Sequence, residues 1–200
     1  MKILAGVVAF LVALGALAIT LQPAQAAPWQ AGVRAVTVKL VQGSSNCSAV
    51  VIAEGVLLTA KHCKEGMTGA GPVLIEGRDV STDPAEWVAI PDRDVAKIYA
   101  PGIHCPCAVL ADTVPETPDT EVAVVGFPFG IAKVLTMGLL QSVLMWEGEP
   151  VILVTAAALP GNSGGGLFLI VDGKAILIGI LSKAAGHLSL AAVVTKATVK

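Results

Sequence analysis

Hydrophobic residues after position 27 fall into short runs that are rich in Val, Ile and Leu and are separated by Gly, Pro, Asp and Asn. Helical periodicity is nearly absent from these runs, and their lengths are those of β-strands. The predicted strands of the first half are 33–41, 48–53, 55–59, 73–75 and 95–99. Those of the second half are 121–127, 134–144, 151–157, 165–171, 175–181 and 190–195. Many short strands with turn signals between them indicate an all-β barrel or sandwich.

A proline-rich segment, residues 101–118, separates the two groups of strands. It holds four of the 12 prolines and few apolar runs, which is typical of a connection rather than of a sheet. A chain of 200 residues is long enough for one or two compact cores. We therefore predict a first β domain at residues 27–108 and a second at residues 109–200.

The first 26 residues have the pattern of a secretory signal peptide. Lys2 gives a positive start, residues 3–21 are almost wholly apolar, Pro23 breaks any helix, and residues 24–26 read Ala-Gln-Ala. This order predicts cleavage after Ala26 and a secreted or periplasmic protein. The alternative is a retained membrane anchor, since the apolar run is just long enough to span a bilayer.

The low charge of the chain limits the kinds of partner that we expect it to bind. The formal net charge is −2, and only 14% of the residues are charged. A nucleic-acid binder would show a clustered basic face, and a disordered chain would show long charge runs. We therefore expect neither nucleic-acid binding nor disorder, and no membrane association once the signal segment is removed.

The chain has four cysteines, Cys47, Cys63, Cys105 and Cys107. In a secreted protein, disulfides are the default use of cysteine, and four residues allow three pairings that sequence alone does not separate. A zinc site is the other common use. It fits poorly, because no pair of C-x-x-C knuckles is present at ligand spacing.

Three local clusters carry groups that can do chemistry, in the order His, Asp, Ser. His62 follows the predicted strand 55–59, and an imidazole there can act as a general base near neutral pH. Asp94 stands directly before an apolar strand, with Asp92 as a rival acid. Ser163 lies in a glycine-rich turn that can aim amide N–H groups at one point. Each cluster alone is also typical of turn or surface residues, so only their joint occurrence predicts nucleophilic catalysis.

These clusters resemble the motifs of the chymotrypsin-like and trypsin-like serine peptidases. Residues 59–63, TAKHC, resemble the histidine motif, and residues 94–96, DVA, resemble the aspartate motif. Residues 161–165, GNSGG, resemble the nucleophile motif, and the order of the three is that of the family. Residues 125–130, VGFPFG, are similar to an element of bacterial members, including HtrA-type proteases. The resemblance covers residues 30–197 and implies two antiparallel six-stranded β-barrels with the active site in the cleft between them.

The resemblance also implies a role for each matching residue. His62 is the general base, Asp94 is its orienting acid, and Ser163 is the nucleophile. The backbone N–H groups of Gly161 and Ser163 form the oxyanion hole. By the same resemblance, a disulfide joins Cys47 to Cys63, whereas Cys105-Pro106-Cys107 has no counterpart in the family.

The resemblance places a primary specificity pocket near residues 157, 182–184 and 191–192. The lining residues that it implies are Ala157, Ser182, Lys183, Ala184 and Ala192. No acid lies among them, and burying an unpaired substrate cation would be costly, so a trypsin-like preference for Arg or Lys is not expected. We predict cleavage after small or medium aliphatic residues.

The expected protein is thus a secreted serine endopeptidase that acts on polypeptides as a monomer, without a metal or cofactor. Asn162 stands where animal digestive members have an acid, so activation by a newly cut N-terminus is not expected. Two alternatives belong to other functional classes. One is a catalytically weak or inactive protease-like module that binds a protein partner. The other is an esterase, which is disfavoured because no helix pattern follows the serine turn.

Overall fold

A computed structural model describes residues 26–69, 71–75 and 80–200. The predicted signal segment, apart from Ala26, lies outside the described residues. Within the described parts of the chain, no helix is long and apolar enough to cross a membrane.

The described chain is predominantly β-structure, as predicted. Its helices are α1 (Pro28–Val36) and α2 (Lys61–Gly66), and short 3-10 turns occur at Pro84–Glu86 and Pro128–Gly130. The strands of the first half are β1 (Thr37–Gln42), β2 (Ser45–Ala53), β3 (Val56–Thr59), β4 (Val73–Ile75), β5 (Val80–Thr82), β6 (Val88–Ala89) and β7 (Ala96–Tyr99). Those of the second half are β8 (Thr120–Gly126), β9 (Val134–Trp146), β10 (Glu149–Val154), β11 (Gly166–Val171), β12 (Lys174–Ala185) and β13 (Leu188–Val193).

The strands of the first half form one antiparallel sheet in the order β5-β4-β1-β2-β3-β7-β6. Alternate residues of the strands point inward, and the core they form includes the fully buried Leu40, Leu57, Ile75 and Ile98. This sheet has seven strands where the resemblance implied six. The two edge strands, β5 and β6, have three and two residues, too few to show an apolar alternation in the sequence.

The second half is a closed six-stranded barrel in the order β10-β13-β12-β11-β8-β9. All of its neighbouring strands are antiparallel, and closure leaves no strand edge exposed. Its interior is filled by aliphatic side chains, among them Val122, Leu140, Ile152, Leu167 and Ile178. Residues 100–119 connect the sheet to the barrel, and within them Leu110 forms an isolated bridge to Leu177 of β12.

A third apolar cluster lies where the two halves meet. Val50 and Leu58 of the first sheet pack there with Val125 and Phe168 of the barrel. Val33 of α1 also belongs to this cluster, and it is 3% exposed. Burial of these side chains fixes the position of the sheet against the barrel, and therefore the width of the cleft between them.

Helix α1 shows that one prediction from the sequence was wrong. The run 33–41 was expected to be a single strand, but its first four residues complete a helix that begins at Pro28. Proline is favoured in the first turn of a helix, and Val33 and Val36 are the buried positions, three residues apart on one face. The helical periodicity is hidden in the sequence because β1 follows at once with a second apolar run.

Candidate active site

His62 lies in the first turn of α2, directly after β3 ends at Thr59. The neighbouring Cys63 is buried and forms a disulfide with Cys47 of β2, with the two Cα atoms 6.3 Å apart. These are the partners that the resemblance implies. The disulfide fastens α2 to the sheet, so the imidazole of His62 is carried on a fixed element.

Asp94 is buried in the loop before β7 and faces His62. Its Oδ2 atom lies 2.6 Å from His62 Nδ1, and its Oδ1 accepts the backbone N–H of His62 at 2.9 Å. The hydroxyl of Ser182 also donates to Oδ2, at 2.6 Å. Burial raises the pKa of Asp94, but the hydrogen bonds from His62 and Ser182 outweigh it and lower that pKa to about 2.

The rival acid, Asp92, is placed differently. It is exposed, and its φ of 59° sets the turn that precedes Asp94. The structure therefore brings His62 together with Asp94, while the side chain of Asp92 lies in a solvent-facing turn.

Ser163 lies in a tight turn between β10 and β11. Gly164 has a φ of +83°, and a Cβ there would lie 2.0 Å from the carbonyl oxygen of Ser48, so no side chain fits. The carbonyl of Ser163 accepts the N–H of Ser48 at 2.7 Å, and Gly164 N–H donates to the carbonyl of Leu181 at 2.8 Å. These bonds from β2 and β12 hold the turn from both halves of the molecule.

His62 and Ser163 line the same cavity, which has a volume of about 460 Å³. Within the described residues, no direct hydrogen bond joins their side chains. Contacts of this kind are often long in a free enzyme and tighten when substrate binds. The shared cavity is open to solvent on one side, and the side chain of His62 is 42% exposed to it.

Gly161 and Ser163 both line this cavity, and each carries a backbone N–H group. Gly161 has a φ of +93°, and a Cβ there would lie 2.4 Å from the carbonyl of Phe127. Across the described chain, no protein acceptor takes the N–H of Gly161 or of Ser163. The carbonyl of Pro160, the residue directly before Gly161, accepts a hydrogen bond from the N–H of Phe129 at 2.6 Å. Two free donors next to a hydroxyl are what an oxyanion hole requires.

Ser48 is a residue of the site that the sequence analysis did not identify. Its hydroxyl donates to the carbonyl of Gly161 at 2.8 Å and accepts the N–H of Phe127 at 3.0 Å. The bridge fixes the orientation of the Gly161–Asn162 peptide. No local pattern could have revealed it, because Ser48 and Gly161 are 113 residues apart.

A second cavity, of about 170 Å³, also borders Ser163. Its lining residues are Ala158, Leu159, Pro160, Asn162, Ser163, Leu181, Ser182, Lys183 and Ala184. Of the residues predicted for the specificity pocket, the structure thus brings Ser182, Lys183 and Ala184 to this cavity. The Ser182 hydroxyl is turned to Asp94, and Lys183 pairs with Glu147.

The two remaining predicted pocket residues lie elsewhere. Ala157 is exposed, and its carbonyl accepts a hydrogen bond from the Thr136 hydroxyl, so Ala158 lines the cavity in its place. Ala192 is fully buried in the cluster between the two halves, where it is paired with Ile180 across β12 and β13. Its side chain faces away from solvent, which explains why it does not reach the cavity.

Among the described residues, no group of three or more His, Cys, Asp or Glu side chains is arranged to hold a metal ion. The chemical groups brought together at the site are an imidazole, a carboxylate, a hydroxyl and backbone amides.

Comparison with known proteins identifies the family of the chain. The sequence model of the trypsin-like peptidase domain matches residues 47–180, which is more than half of the chain. The chain belongs to the trypsin-like peptidase domain family.

Individual relatives agree with this assignment. The chain is 29% identical over 148 residues to a probable periplasmic serine endoprotease, DegP-like, of Halomonas elongata; the alignment covers 70% of this chain and 30% of that protein. The chain therefore spans less than a third of the length of this relative. The active form of the Rv3671c protease from M. tuberculosis has a TM-score of 0.66 at 21% identity, covering 86% of this chain and 81% of that one. The HtrA-type protease AlgW with a tripeptide has a TM-score of 0.64 at 25% identity, covering 86% and 62%. The structural likenesses confirm the predicted fold.

Proposed function

We propose that the chain is a serine endopeptidase that hydrolyses polypeptides through an acyl-enzyme on Ser163. The observation that carries this proposal is the 2.6 Å contact between His62 Nδ1 and the buried Asp94 carboxylate, at a cavity shared with Ser163. With a pKa of about 2, Asp94 is ionised at neutral pH and can only accept hydrogen bonds. The proton of a neutral His62 therefore sits on Nδ1, and its Nε2 is free to act as a base.

The reaction begins when His62 Nε2 takes the hydroxyl proton of Ser163 while Oγ attacks the peptide carbonyl carbon. The N–H groups of Gly161 and Ser163 donate to the oxygen that becomes negatively charged, and one such donor is worth about 10²–10³ in kcat. His62 then gives its proton to the leaving amine as the C–N bond breaks. Water then attacks the resulting ester while His62 takes its proton. The bond between the acyl carbon and Ser163 Oγ breaks, His62 returns the proton to Oγ, and the acyl half of the substrate leaves as a carboxylic acid.

The 170 Å³ cavity beside Ser163 is the proposed pocket for the substrate residue before the scissile bond. Ala158, Leu181 and Ala184 give it an apolar lining, and no carboxylate is among its lining residues. Lys183 does not offer a free cation there, since its ammonium pairs with Glu147. A pocket of this size and polarity fits small or medium aliphatic side chains.

The proposal includes the location and organisation of the protein. Residues 1–26 are a signal peptide, residues 27–108 and 109–200 are the two β domains, and the mature protein is a secreted or periplasmic monomer. Support for the location comes from the DegP-like relative, which is described as periplasmic. Support for the division comes from residues 100–119, which connect the first sheet to the barrel.

A fluorophosphonate probe tests the proposal on the purified protein. Such a probe reacts with a serine only when a base activates it and an oxyanion hole receives the phosphoryl oxygen. We expect one equivalent of label on Ser163 and none in Ser163→Ala. An unlabelled wild-type protein would favour the inactive protein-binding alternative. Labelling together with cleavage of small esters but of no peptide would favour the esterase.

A further inference from the structure

The backbone of Asp94 is held from the opposite half of the molecule. Its N–H donates to Glu149 Oε2 at 3.0 Å, although the two residues are 55 positions apart. Asp94 lies in the loop before β7 of the first sheet, whereas Glu149 is the first residue of β10 in the barrel. The contact therefore joins the two halves of the molecule.

This contact differs in kind from the others that Asp94 makes. The side-chain oxygens of Asp94 accept hydrogen bonds from His62 and Ser182, whereas the bond to Glu149 restrains the backbone from which that side chain extends. The next residue back, Arg93, donates to the carbonyl of Val193 on the barrel at 2.7 Å. Two successive residues of the loop are thus anchored to the barrel, and Glu149 supplies the anchor nearest to the carboxylate.

The negative charge of Glu149 is compensated by a nearby cation. A second carboxylate close to Asp94 would be unfavourable by itself. The Lys183 ammonium lies among these groups: its hydrogen bond with Glu147, with further attraction from Glu149 and Asp94, raises the pKa of Lys183. A cation that is shared by the three carboxylates reduces the repulsion between Glu149 and Asp94, so that Glu149 Oε2 can lie 3.0 Å from the Asp94 nitrogen.

We propose that Glu149 is a positioning residue, which fixes the Asp94 loop from the barrel and so sets the geometry of the Asp94–His62 pair. The inference rests on the proposed function. Its physical basis is that the Glu149 oxygen accepts the N–H of Asp94 from the opposite half of the molecule, which favours one conformation of the loop among several. Loss of this bond should change the chemical step rather than substrate binding.

The test compares three variants of Glu149 in the full chain. Glu149→Ala removes the acceptor, Glu149→Asp keeps the charge but is one methylene too short, and Glu149→Gln keeps an oxygen acceptor at the same reach. We expect Ala and Asp to lower kcat by about 10- to 100-fold with KM nearly unchanged, and Gln to retain at least about a third of kcat. Glu121→Ala, an exposed glutamate on β8, is the matched control and should behave as wild type.

A second measurement does not depend on activity. The proton NMR signal of His62 Nδ1–H reports directly on its bond to Asp94. We expect the signal to shift or broaden in Glu149→Ala and Glu149→Asp and to be kept in Glu149→Gln and Glu121→Ala. If the Ala variant does not fold, the Asp and Gln pair gives the same comparison.

The outcomes separate the two proposals. Wild-type protein that lacks peptidase activity but shows the expected NMR changes would overturn the proposed function and support the positioning role. An unchanged kcat and an unchanged Nδ1–H signal in Glu149→Asp would overturn the positioning role. Equal losses in Glu149→Gln and Glu149→Asp would also overturn it, because the oxygen acceptor would then not be what matters.

Discussion

Asp94 stands in a motif that the sequence reveals, and its carboxylate accepts the hydrogen bonds that define the site. It is buried, yet it accepts hydrogen bonds from the His62 backbone, the His62 ring and Ser182. A carboxylate that accepts three bonds stays ionised, and an ionised carboxylate keeps the imidazole in a single tautomer. We therefore propose that Asp94 orients the imidazole of His62.

Asp94→Asn should lower kcat by about 10⁴-fold, because the amide can donate to His62 Nδ1 and stabilise the wrong tautomer. Circular dichroism should show an unchanged fold. Steady-state kinetics on a peptide substrate measures the effect, with Asp92→Asn as the control in the same loop. Loss of activity in Asp92→Asn and full activity in Asp94→Asn would reverse the assignment of the two acids.

Acid should remove part of the contribution of Asp94 to stability. Its pKa falls from 3.8 to about 2 on folding, so the stabilisation is fully present above about pH 4 and is lost as the pH falls through 2. Urea unfolding should show the free energy of unfolding of wild type decreasing more steeply than that of Asp94→Asn between about pH 5 and 2, by on the order of 1 kcal/mol. Parallel curves for the two proteins would contradict this.

The two disulfides fasten different segments of the chain. Cys47–Cys63 joins residues 16 apart and fastens α2, with His62, to β2. Cys105–Cys107 joins residues only two apart in the connection between the two halves. In the chain-entropy model the stabilisation grows with the length of the closed loop, so the first disulfide should contribute more.

Replacing Cys47 and Cys63 by alanine should therefore reduce the free energy of unfolding by about 3 kcal/mol. Replacing Cys105 and Cys107 is the matched double substitution, and we expect it to cost about half as much or less. Urea denaturation of both variants, each next to wild type, measures the difference. A larger loss for the Cys105 and Cys107 variant would show that the connection, rather than α2, is the segment that needs the bond.

Most strands could be predicted because their buried residues form short apolar runs, which stand out from the Gly, Pro and polar residues between them. The limits of β4, for example, agree with the predicted strand 73–75, and those of β11 differ by one residue. The edge strands β5 and β6 were missed because they are short and largely exposed. Helix α1 was missed because its buried positions run directly into those of β1.

The site likewise combines residues that could be predicted from the sequence with contacts that could not. His62, Asp94 and Ser163 stand in contiguous motifs, so their identity is local information. The bonds of Ser182 and Glu149 to Asp94 join residues 88 and 55 apart, and no local pattern encodes them. They exist only because the closed barrel brings β10 and β12 to the loop of the opposite sheet.

At the scale of the whole molecule, we propose that the 170 Å³ cavity in the barrel half determines which substrates fit. Profiling with a peptide library should show cleavage after Ala, Val or Leu. An apolar pocket discriminates a single methylene by only about 1–3 kcal/mol, so the preference should be broad. Dominant cleavage after Arg, Lys or Glu would contradict the assignment of the 170 Å³ cavity as the specificity pocket.

The central claim is that one hydroxyl, on Ser163, carries the acyl group during peptide hydrolysis. Mass spectrometry of the intact protein, quenched in acid during turnover of a peptide substrate, tests it most directly. We predict a transient mass increase equal to the acyl half of the substrate, located on Ser163 by peptide mapping. Ser163→Ala should show no adduct and a hydrolysis rate lower by about 10⁴- to 10⁶-fold. Hydrolysis at the wild-type rate by Ser163→Ala, or an adduct on another residue, would contradict the account.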